Sequence, residues 1–489
     1  MPAAAALTFL AAACVLVLEI AAGRLLAPYV GVSLTTYTGI IGAILAGIAL
    51  GAWLGGRAAD AFGPIRLLGP TFTLGGFASI AAVPIVDLLG PADLGAGFVA
   101  IVVLASAAFV APAAILSAVA PMLVRATLTD VATSGSVVGR LSAIGTAGAI
   151  SGTLLTGFVL LGAVPTRVLI VGVGGLLVII GLALATTVRG GAGWRTGVLA
   201  SAVIASGALA LAAPSPCDRE SAYYCIAIEH DDADPDGRVL ILDRLTHAYV
   251  DLADPTRLEF GYLRCFADAT ASHLAALDRP ADVLHVGGGG FTFPRYLQAI
   301  DPETRHTVLE LDPVVLATAR TELGFTPRDG IVVIVGDARR SIETLPDDAF
   351  DLVVGDAFGG LAVPWHLTTT AFIDEVRRVL RTDGMYVLNL IDYPPLGFVR
   401  AEAATATSLF EHLAVISGTA TLAGDAGGNV VLVASDAALD VAAITAAIAA
   451  RGEDTSTGII TDPVEVSAFQ AGARVLTDDF APVDQLLGR

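Results

Sequence analysis

Three carboxylates, Glu310, Asp337 and Asp356, each stand at or just past the end of a short apolar run, in HTVLELDP, IVVIVGDAR and FDLVVGDAF. A fourth run upstream, ADVLHVGGGGF, ends in Gly287, Gly288, Gly289 and Gly290. Glycines let a backbone approach a ligand without Cβ collisions, and the start of the following helix offers free N–H groups. An acid about twenty residues further on, here Glu310, suits the two hydroxyls of a ribose. Asp337, with Ala338 after it, suits an exocyclic amine such as that of adenine. No phosphate-binding Lys or Walker pattern is present, so a nucleoside without a phosphate chain fits better than ATP. S-adenosylmethionine or a relative is the natural candidate, with no metal. Asp356 then falls beside the reactive end, where a carboxylate stabilises a sulfonium and takes the proton released when an amine attacks. Its alternative role is an ordinary strand-end cap.

After Asp356 the segment GGLAVPWHLTT, with Pro364, Trp365 and His366, reads as a gate over such a pocket. Trp365 as a core residue and His366 as a helix-start donor remain equally open.

These residues need a doubly wound sheet, which binds ligands at the carboxyl ends of its strands. Strands are expected near Val283–Val286, Val308–Leu311, Val332–Val335, Leu352–Gly355 and Tyr386–Leu390. Helices near Phe293–Ala299, Val314–Leu323 and Thr369–Leu380 alternate with them, the βαβ pattern of a mostly parallel sheet. Segments near Leu413–Ser417 and Val430–Ala434 add an antiparallel pair. Ahead of the sheet, AYYCIAIEH and RVLILDRLTHAYVDL flank DADPDG and read as a hairpin, followed by a helix at Leu258–Ala276.

The first part of the chain is a different kind of polymer. All 27 basic residues are Arg; eight precede Pro214 against five carboxylates, leaving nineteen against forty-two after it. All seven His also follow Pro214. This step divides the chain into an apolar bundle at 1–213, a small β-hairpin piece at 214–255 and an α/β domain at 256–489. So acidic a domain should repel nucleic acid and anionic lipid. Seven spans long enough for a bilayer are expected, near Leu7–Leu26, Tyr37–Leu54, Leu67–Leu89, Gly97–Leu116, Leu141–Val164, Val168–Val188 and Val198–Ala213. Gly47, Gly51 and Gly55, and later Gly148 and Gly152, have the four-residue spacing of tight helix contacts, a reading preferred to a transport path. Glu19 and Arg24 are costly in lipid, and structural pairing and a polar pathway are weighed equally for them.

Arginines cluster in alternate loops, with Arg57 and Arg66, Arg125 and Arg140, Arg189 and Arg195 on one side. The positive-inside rule makes that side cytoplasmic, and seven crossings then place the acidic half outside, in a cell membrane. Cys217 and Cys225 suit a disulfide in such a compartment, while a nucleotide-like co-substrate pulls towards the cytosol.

On these motifs the acidic half resembles the polyamine aminopropyltransferase (spermidine synthase) family over about Tyr223–Leu390, with TDDFAPVDQL at Thr477–Leu486 as a shared tail. The whole chain is similar to its membrane-fused bacterial members, and GGRAADAFGPIR after the second span resembles a cytoplasmic loop of major-facilitator transporters. The resemblance implies a small β-sheet plus a Rossmann-like domain and a decarboxylated S-adenosylmethionine donor. It also implies a small amine or polyamine acceptor and, as in soluble relatives, a possible homodimer. It assigns Glu310 to ribose, Asp337 to adenine and Asp356 to catalysis; Tyr224, His247, Trp365 and His366 are the candidates for the acceptor. Departures are Gly290 and Gly359, where the family has Asp, His247 in place of a Gln, and a changed Tyr-His-Glu stretch around Phe260–Tyr262. Lost anions count against ordinary putrescine transfer. Three readings follow: a membrane-tethered aminopropyltransferase, an S-adenosylmethionine-dependent methyltransferase, and a ligand-binding module on a transporter-like bundle.

Overall fold

A computed structural model describes residues 2–92, 97–189, 205–208, 210–326, 330–451 and 456–488. The chain divides into two compact units, Met1–Ala227 and Ile228–Arg489.

In the first unit, helices α1 (Pro2–Val30), α2 (Leu34–Phe62) and α3 (Pro64–Leu89) are followed by helical spans Phe98–Thr127, Val131–Ala163 and Thr166–Arg189. Among the described residues, six helices are long and apolar enough to cross a membrane. Half of the seventh expected span, Val198–Ala213, lies outside the described residues. The glycine rows are contact surfaces. A Cβ on Gly51 would overlap the Ala114 carbonyl, and one on Gly47 or Gly55 would lie 2.9 Å from the Val110 oxygen or 2.6 Å from the Ala118 Cα. Gly148 and Gly152 meet the carbonyls of Phe9 and Ala13 on α1 in the same way. Backbones brought this close gain dispersion along the whole crossing, which apolar surroundings cannot supply.

At one end of this unit charged side chains hold the chain that leaves the helices. Arg24 donates to the carbonyls of Ser221 (2.9 Å) and Tyr223. Arg167 pairs with Asp87 and donates to the Pro214 carbonyl at 3.2 Å. The Glu220 carboxylate accepts from the Thr166 N–H at 2.9 Å, and a Cys217–Cys225 disulfide closes the turn between β1 (Arg219–Glu220) and β2 (Cys225–Asp231). Arg24 therefore has a structural partner, the backbone of that turn.

The small sheet continues through β3 (Asp234–Leu242) and β4 (Leu245–Asp251), in the order β1-β2-β3-β4. The expected single hairpin is thus two. Asp231 accepts from the Ala233 N–H (2.9 Å) and turns the chain ahead of Pro235, and a left-handed Asp243 (φ 56°) folds RVLILDRLTHAYVDL back on itself.

The main sheet has eight strands in the order β12-β10-β11-β9-β8-β5-β6-β7. Strands β5 (Asp282–Val286), β6 (Arg305–Glu310), β7 (Ile331–Val335), β8 (Phe350–Gly355) and β9 (Leu380–Asp392) are parallel. The expected late pair is β10 (His412–Gly418) with β11 (Gly428–Ser435), joined antiparallel to β9 and extended by β12 (Thr457–Ile460). Every residue of β8 is buried, as befits a strand with both faces covered. From β5 the chain winds outward to β6 and β7, then returns to β8 and β9 on the other side. The order reverses between β5 and β8, and a crevice forms beyond their carboxyl ends.

Replacing Gly51 by Ala should lower the melting temperature of the detergent-solubilised chain, at a cost of about 1–3 kcal/mol for overpacking. Gly42→Ala on the same helix, whose new methyl meets nothing within 4 Å, gains the same helix propensity and should melt no lower than the parent chain.

Candidate active site

The crevice at the reversal point is a cleft of about 380 Å³. Its floor is Gly287–Gly290 after β5 and Asp356 after β8; one wall is Leu245–Ala248 of β4, and another the start of helix Gly261–Ala275. Gly287 (φ 102°) and Gly289 (φ 48°) are in conformations that penalise any side chain, and a Cβ on Gly287 would overlap the Asp356 carbonyl. Two chain turns therefore meet where the strand order reverses.

Asp356 is half-buried, and each of its carboxylate oxygens accepts from one side-chain donor. Tyr262 donates its phenol to Oδ2 at 2.9 Å and Asn389 donates its amide to Oδ1 at 3.0 Å; Asn429 in turn donates to the Asn389 carbonyl oxygen at 2.9 Å. Burial pushes the Asp356 carboxyl up to about 6, against the pull of Asn389 and Tyr262, which favour the anion. Burial and then the Asp356 charge hold Tyr262 well above the ordinary phenol range, so it stays a neutral donor. The result is a cleft-lining carboxylate that changes charge near neutrality, the property general-base chemistry requires.

Glu310 has a different first task. Its Oε2 accepts from the N–H groups of Gly288 (2.9 Å) and Gly289 (3.0 Å), and Oε1 accepts from Asp312 N–H (2.8 Å). This carboxylate shapes the glycine loop from the β6 side, and the loop lines the cleft. Asp337 lies one strand further out. It caps helix Ala338–Ile342 through Arg340 N–H (3.2 Å) and meets His366 Nε2 at 3.2 Å. Asp337 and Ala338 are not among the cleft-lining residues, because β6 separates β7 from the reversal point.

Of the acceptor candidates, His247 lines the cleft, where burial lowers its pKa to about 4 and leaves it neutral. Trp365 and His366 do not line it: they form a short 3-10 turn, Trp365–Leu367, whose His366 carbonyl is held by Arg339 at 2.9 Å. The part of that segment reaching the cleft is Gly360 and Leu361, with Phe358 just before it. Tyr224 is likewise absent from the lining; it belongs to the disulfide-closed β1–β2 turn, where its carbonyl accepts from Ser221 N–H at 2.9 Å. Arg339 also takes Asp478 of the tail in a bidentate pair (3.1 and 2.7 Å), and Thr369 donates to the same carboxylate at 2.6 Å. The TDDF tail thus fastens the far end of the segment that follows Asp356.

Tyr262, Asn389 and Asn429 were missed from sequence. Asn389 left a signal, a lone amide in the apolar run MYVLNLI, and Tyr262 fell in the stretch noted only as a departure from the family pattern, whereas Asn429 gave none until folding brought them together.

Residues 284–388 match a family described as Methyltransferase domain. The polyamine aminopropyltransferase of Vibrio vulnificus is 29% identical over 167 residues, 34% of this chain and 54% of that protein. The eEF1A lysine and N-terminal methyltransferase of Danio rerio is 34% identical over 123 residues, 23% of this chain and 18% of that one. The crystal structure of a probable spermidine synthase from Corynebacterium glutamicum is 29% identical and superposes with a TM-score of 0.50, covering 55% of this chain and 99% of its own. The C-terminal half is thus similar to spermidine synthases and to methyltransferase domains. The chain spans about half the length of the curated aminopropyltransferases it matches.

Asp356 weakens the fold it serves. Its folded pKa, about 6, lies above the ordinary 3.8, so its contribution is intact below pH 3.8 and is lost as pH rises through 6. Asp356→Asn can donate to the Tyr262 oxygen and accept from Asn389, so at pH 8 it should be more stable by about 3 kcal/mol or less. The difference should vanish at pH 4, as read by thermal melts of the whole chain in detergent.

Proposed function

We propose that the C-terminal half is a transferase that moves an alkyl group from an adenosyl sulfonium donor to an amine. Decarboxylated S-adenosylmethionine and aminopropyl transfer are the first choice. The observation that carries this reading is the cleft-lining Asp356, held by two neutral donors at the reversal point of a spermidine-synthase-type sheet.

The residues fit such a donor. The glycine loop, braced by Glu310, offers a surface free of side chains for an uncharged nucleoside, and the lining contains no Arg to hold a phosphate. When bound, the donor supplies an electrophilic carbon next to a sulfonium. The amine lone pair forms the new C–N bond as the C–S bond breaks, and the electron pair leaves on a neutral thioether. Asp356 attracts the incoming amine, then takes the proton that its nitrogen sheds. Tyr262 and Asn389 fix both carboxylate oxygens, so that one lone-pair direction faces the cleft.

Methyl transfer from S-adenosylmethionine is the second reading. It is favoured by Gly290, where a Cβ would lie 2.6 Å from the Ala248 Cβ and 3.0 Å from the Val250 Cγ2. Strand β4 thus closes the position at which the family's Asp would hold an aminopropyl ammonium.

The six apolar helices are taken to seat the protein in a cell membrane. Within the first unit, Asp60 pairs with Arg125 (3.1 Å) at the ends of α2 and the Phe98–Thr127 span, beside Arg57 and Arg66 in the chain. The disulfide belongs with Arg24 and Arg167, on the side poorer in arginine, and this supports an extracytoplasmic C-terminal half. Alkaline phosphatase fused after Arg489 should be active, and a green fluorescent protein fusion at the same place dark; the reverse pattern would move the catalytic half to the cytosol.

Incubated with decarboxylated S-adenosylmethionine and a panel of amines, the purified chain should release methylthioadenosine. Asp356→Asn should slow this by about 100-fold or more, with methylthioadenosine affinity unchanged within about threefold. Release of S-adenosylhomocysteine from S-adenosylmethionine instead would select methyl transfer. Tight adenosyl binding with neither product would leave a binding module.

A further inference from the structure

Resting on the amine-acceptor reading of this cleft, we infer that the acceptor carries one amine on an otherwise uncharged, largely apolar body, and is neither a diamine nor a polyamine.

The lining decides this by charge. Among the described residues, two carboxylates line the cleft, Asp356 and Glu259. Asp356 lies at the bottom and is the one positioned for the reacting nitrogen. Glu259 is at the rim, 46% exposed, and is already paired with Arg257 at 3.1 Å. A second ammonium on the acceptor would have to leave water without a free counter-ion, a cost that a neutral methylene chain does not meet. The other polar groups do not replace an anion. Asn389 and Asn429 use their amide groups on Asp356 and on each other, and His247 is a neutral imidazole that burial discourages from charging.

The remaining surface is built for hydrocarbon. Leu245 of β4, Phe260 and Leu263 at the start of helix Gly261–Ala275, Phe358 and Leu361 after β8, and Ile391 of β9 come from four separate parts of the fold and converge on one cleft. An alkyl or aryl body of about six carbons buried here gains with every methylene it takes out of water. The same body carrying a terminal ammonium forfeits that gain.

Calorimetry of the full-length chain in detergent tests this, with and without saturating methylthioadenosine. The ligands are hexylamine, phenethylamine, putrescine and spermidine. Hexylamine and phenethylamine are expected to bind at least about tenfold more tightly than putrescine or spermidine. Putrescine or spermidine binding as tightly, or no amine binding to a methylthioadenosine-loaded chain, overturns the inference. Failure to bind methylthioadenosine, with the hexylamine preference intact, removes the transferase reading and keeps the monoamine site. Gly359→Asp provides a second arm, because a Cβ there has room, its nearest neighbours being Pro364 Cγ at 3.6 Å and Ala362 O at 3.9 Å. A new carboxylate between Phe358 and Gly360 should narrow the hexylamine-to-putrescine ratio by about tenfold with methylthioadenosine affinity preserved. A ratio that does not move overturns the proposal.

Discussion

A carboxylate held out of water is the constraint around which the C-terminal half is organised. Asp356 follows a strand buried along its whole length and stands half-buried in the floor of the cleft. Water is replaced by two donors fixed on other elements, the Tyr262 phenol on the helix before the sheet and the Asn389 amide on the neighbouring strand. Because neither donor is charged, they satisfy the anion's lone pairs without neutralising it. A cationic nitrogen entering the cleft therefore meets an anion whose charge is uncancelled and weakly screened.

The glycine loop depends on a second buried carboxylate in a complementary way. Glu310 gives its lone pairs to backbone N–H groups and sets the curvature of the loop on which a nucleoside would rest. Burial raises its pKa, and the N–H groups of Asp312, Gly289 and Gly288 pull it back. The two acids thus differ in setting, one shaping backbone and the other lining the cleft. At the far side Arg339 and Asp478 tie the segment after Asp356 to the C-terminal tail, giving TDDF a mechanical part in the same edge of the sheet.

In the first unit the corresponding constraint is steric. Rows of glycine on α2, and on the helix that contacts α1, bring backbones within van der Waals distance, leaving space for nothing larger than hydrogen. That arrangement is a packing device, as the four-residue spacing indicated, and Arg24 is taken up by the carbonyls of the β1–β2 turn.

Much of this was legible in the chain itself, because it follows from local patterns. Apolar runs ending in glycine or an acid fix parallel strands and place Gly287–Gly290, Glu310, Asp337 and Asp356 along one edge. The step in charge at Pro214 separates an apolar half from an acidic one. Register and turn geometry were beyond that reach: a left-handed Asp243 split one expected strand into two. Distance across the sheet was equally hidden, and Asp337, Trp365 and His366, each plausible by spacing, stand beside the cleft lining rather than in it. Only the tertiary structure chose the partners of Asp356, since Tyr262 and Asn389 lie 94 and 33 residues from it, and Asn429 a further 40 from Asn389, with no shared sequence motif. Sequence sets which residues end strands; what those residues touch is decided by which strands become neighbours.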